Sequence, residues 1–253
     1  MGTSRRRPVS NRLDSKIVWA LAKRTFRKSI ESPIAYLVAF FFYGVVGIFF
    51  GITFFVSNQA SIDRIGDISS WIFCLIIPGL TMGLISDEIS SGTFEQLSTL
   101  PVRDEEIVLG KFIGFAMLSL VLVVGLLFYP LVVSFLSIKP IGLDWGATLG
   151  TLASLYALAL VYGAMGLYAS SLARNQVVAL IIGMIFCTFF LFIGQFYAFF
   201  PGFLSRVVDF LGVVSHLTTL GRGVWDIRDL FYFGTLGSLF LYFTVLRLSS
   251  RRF

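Results

Sequence analysis

Six long apolar runs decide what this chain can become. They cover about residues 34–56, 70–86, 107–136, 147–172, 177–200 and 230–246. An α-helix rises 1.5 Å per residue, so roughly 20 apolar residues cross the ~30 Å hydrocarbon core of a bilayer. Runs of this length, almost free of charge, read as membrane-spanning helices. Composition agrees: 57% of the 253 residues are hydrophobic, 13% are charged, and the mean hydropathy is +0.87. A soluble domain carries about 25% charged residues, so this chain has nowhere but lipid to place its apolar surface. The expected fold class is all-α integral membrane, with residues 34–246 forming one six-span domain.

The formal charge of +6 invites a nucleic-acid reading, which its distribution rejects. Nine of the twenty basic residues lie in the first 28 positions and three in the last seven. Clusters beside spans are membrane-surface and topology signals. With six spans both termini share one side. Only Arg64, Lys139, Arg206, Arg222 and Arg228 then fall on the other, so both ends are expected in the cytoplasm. Cys74 and Cys187 sit inside apolar runs and read as buried filler, since a disulfide framework or metal site needs more ligands at better spacing.

In chain order, residues 1–13 form a basic tail with Arg5-Arg6-Arg7 and none of the features of a cleaved leader. Residues 14–31 form an amphipathic helix. At 100° per residue, Val18, Trp19, Leu21, Ala22 and Phe26 fall on one side, and Lys16, Lys23, Arg24, Arg27 and Lys28 on the other. That pattern suits a helix lying in the membrane interface, with Trp19 and Phe26 sunk and Lys23 and Arg27 reaching headgroups. The first span carries Gly44, Gly47 and Gly51, a small-residue face that fits a dimer contact or, as the favoured reading, packing within the chain. Residues 57–69 are expected as an external loop. Pro78 interrupts the second span and Pro130 the third. Lys111, at the inner end of the third, is expected to snorkel to headgroups. The fourth span is rich in glycine, alanine and serine, which suits the middle of a bundle. Residues 203–222 have helical apolar spacing but are too polar to span, and read as an external or half-inserted helix. A charged run follows, with Arg222, Asp226, Arg228 and Asp229, whose members can pair with one another or meet a substrate. Residues 247–253 close the chain as a second basic tail.

The longest polar interruption lies between the second and third spans. Thr93 and Gln96 fit the capping-box spacing of a helix start, Phe94 and Leu97 fall on one face, and Pro101 ends the turn. Carboxylates at Asp104, Glu105 and Glu106 then sit where the next helix N-terminus favours negative charge. Local grammar leaves two readings: an ordinary polar loop, or a short surface helix over 92–99.

Gly92-Thr93-x-Glu95-Gln96-Leu97 with Pro101, Glu106-Ile107 and Gly110-Lys111 resembles the central signature of the type-2 ABC transporter permeases. The letter-level likeness covers about residues 88–112 and 221–232, and the helix number and order agree over the whole chain. The second stretch, Arg222-Gly223-Val224 through Asp226, Arg228 and Asp229, is similar to runs in the branch associated with bacterial gliding machinery. The resemblance implies that residues 92–99 act as a coupling helix, with Gly92, Thr93, Phe94, Glu95, Gln96 and Leu97 touching a separate cytoplasmic ATPase subunit. It implies an elbow role for 14–31, a second permease subunit (identical or paralogous), a bacterial cytoplasmic (inner) membrane, and export. ATP and Mg would belong to the ATPase.

The chain itself shows little chemistry. Gly110-Lys111 is followed by Phe112 and preceded by Glu105 where a phosphate-binding loop needs glycine, so this chain is read as neither binding ATP nor acting as an enzyme. A lone histidine, His216, excludes an HExxH pair and reads as a polar residue on the external helix. The span centres lack the carboxylates that proton- or sodium-driven carriers use. Two further readings stand beside the permease: a non-transporting anchor or assembly subunit of a larger machine, and a membrane-embedded enzyme, which the missing ionisable pairs disfavour. The phenylalanine-rich spans suit a lipid-like cargo and suit lipid-facing filler equally, so the substrate is left open.

Overall fold

A span must satisfy its own backbone, because hydrocarbon offers no water to any amide left bare. In this protein, a computed structural model describing residues 14–57, 63–93, 102–136, 144–221, 223 and 226–250, the chain runs as helices with no strand among the described residues. Helix α1 (Ser15–Ile30) is capped by Asp14, whose carboxylate accepts the Lys16 N–H at 2.9 Å. Helix α2 (Pro33–Ser57) starts on proline, whose missing N–H costs nothing in a first turn. Then come α3 (Asp63–Thr81), α4 (Gly83–Ser90), α5 (Asp104–Gly125) and α6 (Phe128–Leu136). They are followed by α7 (Trp145–Leu172), α8 (Gln176–Ile193), a 3-10 turn (Gly194–Phe199), α9 (Phe203–Leu211), α10 (Val213–Gly221) and α11 (Ile227–Ser249).

Among the described residues six stretches are long and apolar enough to cross a membrane: Pro33–Thr53, Ile65–Ser90, Asp104–Phe135, Trp145–Leu172, Gln176–Phe199 and Ile227–Ser249. The protein is an all-α, multi-pass integral membrane protein. Residues 63–69, expected as loop, instead extend the second span, because Ile65 and Ser69 bury against the bundle.

Helix α7 is the axis. It packs against α3, α5, α8, α10 and α11, and 67% of its most apolar window is buried against 11% for the first span. Its small residues permit this. A side-chain carbon on Gly163 would collide with the Phe115 ring of α5, and one on Gly166 with the Thr81 hydroxyl of α3. Helix α2 lies at the rim. Gly44 and Gly51 have nothing within 4 Å of where a Cβ would stand, and Gly47 alone meets a neighbour, Tyr129. The glycine face of the first span is therefore mostly open, contrary to the favoured expectation of intrachain packing.

Two spans are broken, and both breaks are mended from outside. The second span stays helical through Pro78 and parts between α3 and α4 at Met82, whose N–H still reaches the Pro78 carbonyl at 2.8 Å. Ser170 of α7 reaches into the gap. Its hydroxyl donates to the Met82 carbonyl at 2.7 Å and accepts the Ile85 and Ser86 N–H groups at 3.0 and 2.9 Å. One hydroxyl so uses its donor and both lone pairs. The third span parts between α5 and α6, just before Pro130. There the Leu126 N–H turns to Val123, and the Tyr43 hydroxyl of α2 donates to the Leu122 carbonyl at 2.7 Å. Tyr129 of α6 answers by donating to the Tyr43 carbonyl at 2.6 Å.

The two ends of the bundle differ. At one, Ile85, Ile107, Val108, Leu167 and Leu248 form a buried cluster, which brings the end of α11 beside the starts of α4 and α5. Both ends of the described chain lie here. At the other, α9 and α10 meet at a 66° bend, so residues 203–221 are a broken pair, not one helix.

Ser170→Ala should leave two buried amides without their side-chain acceptor, while the Met82 carbonyl keeps the Ser86 hydroxyl, costing about 1–3 kcal/mol. A fall in the melting temperature of the detergent-solubilised protein would show it. Ser134→Ala, an exposed hydroxyl bonded only to Leu131 of its own helix, should change nothing.

Candidate functional site

Of the six residues expected to meet a partner between the second and third spans, Gly92 and Thr93 are described. Phe94, Glu95, Gln96 and Leu97 lie outside the described residues. Gly92 ends α4 with φ +70°, a left-handed conformation that side chains resist and glycine accepts. The preceding turn closes through Ser91 N–H to the Asp87 carbonyl at 3.0 Å, and the Thr93 hydroxyl lies 2.9 Å from that of Ser91. Gly92 and Thr93 are both exposed.

On the far side of that segment the chain re-enters at α5, and Glu106 organises the entry. Its carboxylate accepts the Arg103 N–H at 3.0 Å and, from a residue 92 positions away, the Asp14 N–H at 2.8 Å. Arg103 and Asp14 are the N-caps of α5 and α1. One carboxylate, 3% exposed, thus sits where two helix N-termini present their partial positive charge. Below it α1 lies against α5 at backbone distance. A Cβ on Gly110 would stand 2.6 Å from that of Leu21, and one on Gly114 would stand 2.7 Å from the Ala22 carbonyl oxygen.

This revises the expected face of α1. Leu21 and the fully buried Ala22 turn to α5 and away from lipid, because two glycines one helical turn apart open a groove for them. Trp19 is 58% exposed, consistent with membrane contact, and Phe26 is half-buried. Lys23 and Arg27 are exposed. Arg27 pairs with Glu31 at 2.7 Å, and that hydrogen bond raises its pKa further.

Lys111 also departs from expectation. Instead of reaching out to headgroups it is 6% exposed, with its ammonium 2.7 Å from Glu88 and donating to the Leu84 carbonyl. A charge this buried needs a partner, and Glu88, on the last turn of α4, supplies it. The ends of α1, α4 and α5 are so joined by one shared carboxylate and one buried ion pair, on both sides of 92–103.

Between α1, α4 and the base of the first three spans lies a cleft of about 410 Å³. Arg24, Lys28, Asp87 and Glu88 line its polar part, and Ile34, Leu80 and Leu118 its apolar part. Asp87 is held by the Gln176 amide, which donates to its Oδ1 at 2.6 Å.

The charged run at the other end divides. Arg222 lies outside the described residues. Asp226 caps α11, accepting the Arg228 N–H at 2.9 Å, and Arg228 is exposed. Asp229 turns inward, 5% exposed, and pairs with His216 instead of with a neighbour in the run. His216 Nδ1 is 2.6 Å from Asp229 Oδ1, and Nε2 is 3.0 Å from the Phe210 carbonyl oxygen. A ring nitrogen facing a carbonyl must carry hydrogen, so Nε2 is the donor there. Tyr232 stacks on the imidazole at 4.0 Å and donates to the Leu211 carbonyl at 2.7 Å. The lone histidine, expected only as a polar residue on this helix, is thus a buried joint fastening α9 and α10 to α11. Spacing along the chain could not show this, since His216 and Asp229 lie on two different helices, α10 and α11, that pack together only in the fold.

His216→Ala should leave Asp229 buried without its partner and cost about 3–5 kcal/mol, while replacing both by Phe and Leu should recover most of the loss. Melting temperatures of the two variants in detergent decide it.

The family described as ABC-2 family transporter protein matches residues 16–208. That stretch takes in nearly all of α1, five spans and most of α9, and so contains Glu88, Glu106 and Lys111 of the joined end. No curated protein matches the chain. The match covers well over half of the 253 residues, and the chain belongs to the ABC-2 family of transporter proteins, as a permease-type membrane subunit.

Proposed function

We propose that this chain is the membrane-spanning subunit of an ATP-binding cassette exporter, driven by a separate cytoplasmic ATPase that docks on residues 92–99. One observation carries the reading: the ends of α4 and α5, which flank that segment, are tied to each other and to α1 through Lys111–Glu88 and Glu106. A displacement of 92–99 cannot be absorbed by loose loop ends and passes into two spans and the elbow helix at once. Phe94 and Leu97 supply the apolar contact, Glu95 a charge for a basic cleft, and Gly92 and Thr93 the turn that aims them. ATP and Mg bind the partner, and this chain is not itself an enzyme.

The rest of the arrangement follows from charge and exposure. The basic tails put both termini, and the joined end, in the cytoplasm of a bacterial inner membrane. A second permease subunit, identical or paralogous, covers the open Gly44 and Gly51 face of the first span, where close helix approach is possible.

Pull-down from the native membrane in mild detergent tests the docking. An ATPase with phosphate-binding motifs should co-purify. Phe94→Ala with Glu95→Lys should cut its recovery by roughly thirtyfold, the equivalent of about 2 kcal/mol for an interface hot spot, with membrane insertion unchanged. Full recovery with the double variant would overturn the docking site. Absence of any ATPase would favour the non-transporting anchor instead.

A further inference from the structure

The cleft beside α1 has the chemistry of a phospholipid headgroup site. Its volume, about 410 Å³, lies within the roughly 300–1,000 Å³ range of small-ligand sites. Its lining is graded. Lys111 and Leu118, both on α5, are seven residues apart, so the cleft runs about 10 Å along that helix. At the shallow end are Arg24 and Lys28, one turn apart on α1, and Asp87 on α4. At the deep end are Leu80, Leu118 and Ile34, at the base of three spans. A soluble metabolite has no use for the apolar end, and a plain hydrocarbon has none for the charged one.

The charges also specify which headgroup. Lys111 and Glu88 pair tightly at 2.7 Å, which leaves Arg24 and the looser Lys28–Asp87 pair, 3.8 Å apart, to face an occupant. Two cations one turn apart suit a phosphate. Asp87 Oδ1 is taken by Gln176, but among the described residues its Oδ2 has only the Lys28 ammonium, at 3.8 Å, beyond hydrogen-bond length. That oxygen accepts from a donor carried by the occupant. A phosphate with an N–H donor a few bonds away is the head of an ethanolamine phospholipid. A choline head carries the charge but no N–H, and a glycerol head carries hydroxyls without the charge.

We infer that this cleft holds the headgroup of an ethanolamine phospholipid, with the phosphate on Arg24 and Lys28, the ammonium on Asp87, and the acyl chains leaving past Leu80 and Leu118. The inference does not depend on the ATPase. Its consequence is that the lipid wedges α1 against α4 on the side away from Glu106, so the elbow is held from both flanks.

The test uses the purified full chain, stripped of lipid in mild detergent. Dioleoyl phosphatidylethanolamine, the matching choline and glycerol lipids, and soluble phosphoethanolamine are added separately. The ethanolamine lipid should raise the melting temperature by roughly 5–10 °C at about a hundredfold excess over its Kd, with much smaller shifts for the other two lipids. Native mass spectrometry should show one ethanolamine lipid retained per chain. Asp87→Asn, which keeps an oxygen for Gln176, should abolish the preference among headgroups, and Arg24→Gln with Lys28→Gln should weaken all three lipids. Equal shifts from the three lipids with wild-type protein would overturn the site, as would a preference that survives Asp87→Asn. A shift from soluble phosphoethanolamine as large as the lipid's would overturn the lipid as occupant.

Discussion

A backbone amide inside a bilayer has no water to fall back on, and the architecture is arranged around the two places where this chain breaks that rule. The second span parts at Met82 and the third just before Pro130, and in each case a hydroxyl from a different helix closes the gap: Ser170 at Met82 and Tyr43 at Leu122. Such repairs fix the neighbours as well as the break. Ser170 can reach three backbone groups of the second span only if α7 touches α3, and that contact requires Gly166 beneath Thr81. The small residues of α7 and the kink of the second span are therefore one feature seen from two helices.

The same economy governs charge. Glu106 and Lys111 are among the most buried ionisable groups in the chain, at 3% and 6% exposure, and burial of an unpaired charge would unfold the local structure. Each is held by groups distant in sequence: Asp14 for Glu106, and Glu88 and Leu84 for Lys111. Neither contact needs to add much net stability, since buried ion pairs often break even against apolar packing. What they fix is geometry, because a carboxylate that serves two helix N-termini permits one arrangement of those helices.

The spans were legible in the sequence because length and hydropathy are local properties, and so was the helical state of residues 14–31. The joints were not. Glu106 reads locally as one of three first-turn acids, and nothing nearby says that it alone turns inward to Asp14. Lys111 at a span end looks like a snorkelling lysine until Glu88 is placed beside it. The glycine pair Gly110 and Gly114 has the same spacing as Gly47 and Gly51. The first receives α1 and the second meets mostly open space. Spacing shows that a helix can be approached closely, and it does not show by what. His216 hid for a related reason, since its partner Asp229 stands on the next helix and meets it only when α10 packs beside α11.

The distribution of charge limits how such a bundle can be driven. Residues 112–138, 145–173, 177–205 and 230–246 contain no Asp, Glu, Lys or Arg, so the bundle's middle offers little for a membrane potential or a proton to act upon. Under the proposed ATPase drive, work enters mechanically, from an end. At the joined end α1 and α5 share Glu106 and pack backbone to backbone, so they move together. Helix α4 moves with them through Lys111, but its link onward to α3 is the break at Met82, where Ser170 provides the cross-helix hydrogen bonds. A joint held by a few hydrogen bonds yields before a glycine-lined interface does. Under the proposed push on 92–99, the second span would therefore flex at Met82, with α7 as the fixed post and α4 as the lever.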